Sequence, residues 1–406
     1  MTCLFVFVTI TLVVIYAVYL SSTPPGGWMR HWLSVVSTDF TTAPPEEPAV
    51  NKTGRYVSMC QENIDGRRTG NQMMDLAAML HVAWLTGRRV AMVRHHPHGW
   101  LDRWFHVPVT RVDNINKELC PCVTVGIAGG LAYDPQMSLL SKRTDIAGKS
   151  LLLCGLFQSW KYTLGVESAL RYHLRLLPNI SAAIHDYLNL IEPPSWKGRS
   201  FSRIGIHVRA GDINQQIEWF KGFTIPQRPY FEQAMSRFVS EQLQRGGGRI
   251  QFIVTSDSLE WVKKAINFTA IADQFNRTSS SKKDEVVVEV AHSEGHDAGF
   301  DLGLLSLCDG VIMSTGTYGW WGAWLANKTT VYYSNWPRAG SYVSGLVKRT
   351  DYFPPNWIPI GGPEFTYTAE NVADTIHNVA SIIAGGCFLF LILFLFVLSR
   401  RPQNTR

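Results

Sequence analysis

The run Ile204-Gly205-Ile206-His207-Val208-Arg209-Ala210-Gly211-Asp212 decides how this chain is read. Residues 204–208 form a short apolar stretch expected of a buried strand, and the polar, glycine-containing segment after it marks the strand's carboxyl end. Beyond it the pattern predicts a helix at 230–244, a turn at 246–248, a strand at 250–255, a helix at 259–266 and a strand at 286–290. A helix at 301–307, a strand at 310–313, a helix at 318–326 and a strand at 330–333 complete the series. Strand and helix alternate throughout, which argues an α/β fold built on a parallel, doubly wound sheet. Ligands in such sheets sit at the carboxyl ends of the strands, so the loops after Val208, Thr255, Val290 and Met313 are where chemistry belongs.

On the other side of Pro193, Pro194 and Gly198 the same alternation is weaker. Apolar spacing predicts a helix at 73–84 and strands at 90–93 and 151–153, with a helix at 166–177 that Pro178 ends. The length of 406 residues accommodates two or three globular units. These are placed as an N-terminal lobe at 55–195 and a second lobe at 196–362, followed by a linker at 363–378.

Charged residues are 17% of the chain and hydrophobic ones 46%, against roughly 25% charged in average soluble domains, so extra apolar surface needs a place. Residues 379–398 supply it: twenty positions without a charge, enough for a helix to cross a hydrocarbon core of about 30 Å. Arg400, Arg401 and Arg406 follow, which puts the tail at 399–406 in the cytosol and the preceding chain on the luminal side. The alternative, a buried core helix, would show polar relief within a few turns. Residues 4–20 form a second apolar run, a signal anchor or a cleaved signal peptide; no small-x-small cleavage site follows it, which favours the anchor. The proline-rich stretch at 21–54 reads as a stem.

The sequons at Asn51, Asn179, Asn267, Asn276 and Asn327 agree with a luminal placement. Setting aside Cys3 and Cys387 in the apolar runs leaves Cys60, Cys120, Cys122, Cys154 and Cys308 in an oxidising compartment. Cys308, in an apolar helical run, is expected to be the buried free thiol, while the other pairings stay open. Cys120-Pro121-Cys122 lacks a second Cys pair for zinc and is expected in a disulfide. His95, His96 and His98 share a loop with Pro97 and show no fourth ligand, so no metal site is expected. The net charge of +6 comes without a dense Lys/Arg block, which argues against nucleic acid and for small anions or a membrane surface.

Alternation points His207 and Arg209 to one face of their strand, and Gly211 lets the backbone turn so that Asp212 can brace them. An arginine there can grip a phosphate in bidentate fashion; the alternative is a structural Arg/Asp pair. Ser314-Thr315-Gly316-Thr317-Tyr318-Gly319 joins a strand to a helix and offers N–H groups, hydroxyls and a positive dipole end to an anion. Two such loops in one sheet suggest a diphosphate, although the P-loop and G-x-G-x-x-G signatures are both absent. Asp301 is read at the opening of its helix, as a cap or a reader of a base edge. Arg67-Arg68-Thr69-Gly70-Asn71-Gln72 precedes a helix and is a second anion-binding turn, facing the other half of the molecule. Trp320, Trp321 and Trp324 are expected mainly in the core.

The segment from His207 to Asp212 resembles the H-x-R-R-x-D motif of fucosyltransferases that make α-1,2, α-1,6 and protein O-linked fucose. Phe252-Ile253-Val254-Thr255-Ser256-Asp257, Asp301-Leu302-Gly303-Leu304-Leu305 and Ile312 to Gly319 are similar, in order and spacing, to the galactoside α-1,2-fucosyltransferase family. So are Gly70-Asn71-Gln72-Met73 and Phe353-Pro354-Pro355-Asn356-Trp357, and the resemblance covers residues 60–360. It implies two Rossmann-like, GT-B-like lobes facing a cleft, GDP-fucose as donor, no catalytic metal or other cofactor, and a Golgi membrane location. It further implies inverting transfer to the 2-hydroxyl of a galactoside-terminated glycan. His207 and Asp301 would contact guanosine, and Arg209, Thr317 and Gly319 the β-phosphate, with Ser314, Tyr318 and Asn71 in the same donor site. Arg209 would act in catalysis, and Glu218 or Asp212 would be the base. The chain departs from the pattern at Ala210, where the motif has its second arginine, and at Arg67-Arg68-Thr69, where the N-terminal signature reads Gly-Arg-Leu. The alternatives are a fucosyltransferase with another acceptor and a membrane-anchored protein that binds glycan or GDP-sugar without turnover.

Overall fold

Short, almost continuously apolar strands are buried on both faces in a parallel sheet, and the described residues build two such sheets. A computed structural model describes residues 55–60, 67–94, 101–126, 131–213, 216–279 and 285–365, all within one compact unit, Glu46–Thr366. The apolar runs at 4–20 and 379–398, the stem, Asn51 and the histidines at 95, 96 and 98 lie outside the described residues. Among the described residues no helix is long and apolar enough to cross a membrane, and no group of three or more His, Cys, Asp or Glu is arranged to hold a metal ion.

The first sheet contains β1 (Tyr56–Met59), β2 (Arg89–Val93), β3 (Thr110–Val112), β4 (Cys122–Gly126) and β5 (Ser150–Cys154), in the order β3-β2-β1-β5-β4. The second contains β6 (Ser202–Val208), β7 (Gly248–Ser256), β8 (Val286–His292), β9 (Gly310–Met313), β10 (Thr329–Tyr333) and β11 (Ile358–Ile360), in the order β11-β10-β9-β6-β7-β8. Every named pairing is parallel. The second order is that of the dinucleotide-binding fold. The chain runs outward from β6 to β8, crosses back, and continues from β9 to β11, so the strand order reverses between β6 and β9. In the first sheet it reverses between β1 and β5. Ligand crevices open at such reversals because the connecting segments leave toward opposite sides there.

The helices that position the site are α1 (Thr69–Thr86), α2 (Glu167–His173), α3 (Pro178–Leu190), α4 (Gln216–Lys221), α5 (Arg228–Gln244), α6 (Leu259–Ala265), α7 (Phe268–Ser279), α8 (Ala298–Ser306) and α9 (Thr317–Ala326). Helix α1 is apolar nearly all round because it packs against β1 and β2 and also against α9 of the other sheet's lobe. Gly87, with φ 64°, ends it by adopting the left-handed conformation that a side chain disfavours. Trp320 and Trp321 of α9 are fully buried, as their apolar spacing predicts.

Two expectations need correction. Pro178 does not end a helix spanning 166–177; α2 stops at His173 and Pro178 opens α3. A proline lacks an N–H, and the first helical position is one where that donor has no partner anyway. Asp301 does not open its helix: α8 begins at Ala298, and Asp297 caps it by accepting the Phe300 N–H at 2.9 Å. Cys60 is bonded to Cys154 across the ends of β1 and β5, and Cys120 to Cys122. Among the described residues Cys308 is the free cysteine and is buried, as the sequence suggests.

Candidate active site

At the strand reversal of the second sheet, β6 and β9 lie side by side with His207 paired to Met313. The backbone N–H of Ser314 donates to the His207 carbonyl at 3.0 Å, and its hydroxyl oxygen accepts the Arg209 N–H at 2.9 Å. Ser314 is fully buried and ties the two strand ends together. Asp257, just past the end of β7, accepts the N–H groups of Ala210 and Gly211 at 2.7 and 2.8 Å. Those contacts fix the turn in which the motif residues stand. Ala210 itself is fully buried.

Arg209 presents a fork to Asp212: Nε donates to Oδ1 at 2.9 Å and Nη2 to Oδ2 at 2.7 Å. Its guanidinium carbon lies 4.9 Å from the centre of the Phe223 ring. The remaining nitrogen, Nη1, lies against Gly316 at the start of α9, where a Cβ would come within 2.9 Å of it. With φ at 91°, Gly316 also holds a backbone conformation that side chains rarely adopt. A permanent cation thus sits beside the N-terminal N–H groups of a helix, and that end carries a partial positive charge.

The first lobe brings a second helix N-terminus to the same place. A Cβ on Gly70 would lie 2.7 Å from both the carbonyl carbon of Thr317 and the N of Tyr318, so only glycine lets α1 and α9 approach this closely. Thr317 Oγ1 donates to Asn71 Oδ1 at 3.0 Å, and Gln158 Nε2 donates to the same oxygen at 3.0 Å. Neither Arg68 nor Gly316, the residues ahead of the two helices, caps them with a side chain. Arg68 Nη1 instead reaches Asp212 Oδ2 at 2.9 Å. Arg67 donates to the Gly155 carbonyl at 2.6 Å and pairs with buried Asp75 at 3.4 Å, which holds the turn before α1 on the end of β5.

The titratable groups separate by environment. Burial drives the His207 pKa down to about 4, so its ring is neutral at ordinary pH. Its Nδ1 is buried and has no hydrogen-bond partner among the described residues, and a Cβ on Gly319 would come within 2.4 Å of it. Burial raises Asp301 to about 7 against the weaker opposing effect of the Ser293 hydroxyl, which donates to Oδ1 at 2.5 Å. For Asp212 burial pulls upward too, but the hydrogen bonds and charge of Arg209, joined by Arg68, outweigh it and hold the carboxyl below its usual range. Glu218 lies on α4, close enough for its charge to act on Arg209, and accepts from Lys221 at 2.6 Å.

The structure therefore brings His207, Arg209, Asp212, Thr317, Tyr318, Gly319 and Asn71 to one crevice. Asp301 joins them from α8 through Tyr318, whose ring centroid lies 5.2 Å from that of His207 and whose hydroxyl donates to the Ala298 carbonyl. Sequence reasoning gave no role to Asp257, Gln158, Phe223 or Ser293, although Asp257 closes one of the quoted motifs. Asp257 alone had a usable signal, a carboxylate directly after a strand at the ligand-bearing end of the sheet.

Residues 144–361, more than half of the chain, match the model of glycosyl transferase family 11. Similar curated proteins include the galactoside 2-alpha-L-fucosyltransferase SEC1 of Bos taurus, 24% identical with 72% of each chain covered. The galactoside alpha-(1,2)-fucosyltransferase 2 of Sus scrofa is 25% identical over 81% of this chain and 86% of its own. The galactoside alpha-(1,2)-fucosyltransferase 1 of Ateles belzebuth is 28% identical over 73% of each. A crystal structure of POFUT1 in complex with GDP-fucose aligns with 70% of this chain and 99% of its own, at 11% identity and a TM-score of 0.45. The chain is a glycosyltransferase and belongs to glycosyl transferase family 11.

Proposed function

We propose that the protein transfers fucose from GDP-fucose to the 2-hydroxyl of a terminal galactoside, with inversion at the sugar carbon. The observation that carries the reading is the meeting of two helix N-termini and the Arg209 guanidinium at the crevice where both sheets reverse. That arrangement suits a diphosphate. The sugar and the linkage come from the names of the relatives.

In this reading the β-phosphate rests on the start of α9, held by Thr317, Gly319 and Arg209, with Asn71 closing from α1. His207, Asp301 and Tyr318 contact the guanosine part. The bond from fucose C1 to the β-phosphate oxygen breaks and leaves its electron pair on GDP. The acceptor oxygen bonds to C1 from the opposite face and gives up its proton. Glu218 is the base, because Asp212 is committed to Arg209 and Arg68 and its depressed pKa makes it a poor proton acceptor. Arginine and helix N–H groups stabilise the leaving charge without a metal; one such donor is commonly worth about 10² to 10³ in rate. The terminal apolar runs would hold the protein in the Golgi membrane with this site in the lumen.

Linkage analysis of the product formed from labelled GDP-fucose and a panel of glycans tests the reading. Fucose on the 2-position of galactose supports it; fucose found only on a core N-glycan or a protein hydroxyl would replace the acceptor.

A further inference from the structure

Two aromatic side chains stand in water beside this crevice although the backbone carrying them is tightly held. Phe220 on α4 is 50% exposed and Tyr342, in the short helix Tyr342–Leu346, is 72% exposed. An exposed aromatic ring on a fixed backbone leaves a flat apolar face available to a ligand.

The mounting is specific. Arg338 places its guanidinium 4.0 Å from the centre of the Trp219 ring and donates to the Trp219 carbonyl at 3.1 Å. Trp219 in turn meets Phe220 edge-on, with ring centroids 5.2 Å apart. The Arg338 N–H donates to the Gly222 carbonyl at 3.1 Å. Gly222, with φ 115°, lets Ser341 pack so closely that a Cβ there would come within 2.7 Å of the Ser341 Cβ. Ser341 caps the helix that begins with Tyr342 by accepting the Ser344 N–H at 3.2 Å. The ends of α4 and of the 338–342 turn are thereby one fixed surface, joined to the candidate donor site through Phe223, whose ring lies under the Arg209 guanidinium.

We propose that Phe220 and Tyr342 form the platform on which the galactoside acceptor lies. The proposal rests on the functional reading above and adds its acceptor subsite. A pyranose presents an apolar face of C–H groups that packs on an aromatic ring while its rim of hydroxyls stays hydrated. The acceptor is uncharged, so its site needs neither of the cations that serve the diphosphate. It must also adjoin the phosphate site, because the reacting hydroxyl has to reach the carbon attached to that phosphate.

The test uses the full-length chain with GDP-fucose and a phenyl-free galactoside such as lactose, measuring acceptor KM, donor KM and GDP affinity. Phe220→Ala and Tyr342→Ala should each raise the acceptor KM about tenfold, the loss of about 1.4 kcal/mol of binding, with GDP affinity within twofold of the parent. Phe220→Tyr and Tyr342→Phe should restore the acceptor KM. An unchanged acceptor KM in both alanine variants overturns the platform and leaves the functional reading standing. A parent chain that transfers to no galactoside refutes that reading and the platform together.

Discussion

Arg68 and Asp212 lie 144 residues apart in the chain and 2.9 Å apart in the fold. The contact joins the turn before α1 to the loop after β6, and Asp212 uses the same carboxylate to fork onto Arg209. The cation assigned to the proposed phosphate site is thus oriented by a carboxylate that both lobes hold.

The two arms of this arrangement should differ in weight. The Arg68 side chain is 72% exposed, so Arg68→Ala should cost less than about 1 kcal/mol of stability. Asp212→Ala removes the partner that fixes Arg209 and should lower kcat/KM by roughly 10- to 100-fold. Steady-state kinetics alongside urea unfolding of both variants checks this; equal losses of activity would mean that Asp212 matters for lobe contact rather than for aiming Arg209.

Gly70→Ala should disturb the site from the other lobe. The added methyl meets backbone atoms of Thr317 and Tyr318, which cannot swing aside as a side chain can. A destabilisation of about 1 to 3 kcal/mol is expected, together with at least a tenfold loss of GDP affinity as the two helix ends separate. Calorimetric titration with GDP measures it, and unchanged affinity would show that only one helix end serves the phosphate.

The sequence revealed the second sheet more readily than the first, for a physical reason. Strands β6, β7 and β9 are flanked by long helices and clear turns, so their short apolar runs stand out. β1 has four residues and β3 three, too few to tell a strand from a piece of buried helix by periodicity. The site divides in the same way. His207, Arg209 and the 314–319 turn are local features at strand ends and could be read directly. The pairings of Asn71 with Thr317, Arg68 with Asp212 and Asp257 with the Ala210 amide join distant segments and leave no local trace. Asp301 lies one turn inside α8 because Asp297, four residues earlier, takes the cap.

The raised pKa of Asp301 gives a pH signature with a definite sign. Its ordinary value is 3.8 and its folded value about 7, so between these the folded chain holds more protons than the unfolded one. Its contribution therefore makes stability fall as pH rises from about 4 to 7, and Asp301→Asn should remove that slope. If the ionised carboxylate accepts from the guanine edge, GDP affinity should rise about tenfold from pH 6 to pH 8. His207, at about 4, stays neutral across this range. Titrations of the parent and Asp301→Asn with GDP and with guanosine separate the carboxyl from the titrating phosphate; parallel pH profiles would remove Asp301 from the base site.

The apolar runs at 4–20 and 379–398 call for a topology test. In sealed microsomes, tags at both ends should be digested from the cytosolic side while the glycosylated middle survives. Protection of the C-terminal tag would show that the second run does not stop transfer across the membrane.

The central claim is that Arg209 and the facing helix ends serve fucose transfer from GDP-fucose to a galactoside. The full-length chain and its Arg209→Ala variant should be incubated with radiolabelled GDP-fucose and lactose, with GDP affinity measured in parallel. The account predicts labelled 2′-fucosyllactose from the parent, a loss of at least about 10² in rate for the variant, and weakened GDP binding. A parent chain that binds GDP yet labels no galactoside, or a variant that retains most of its activity, would contradict it.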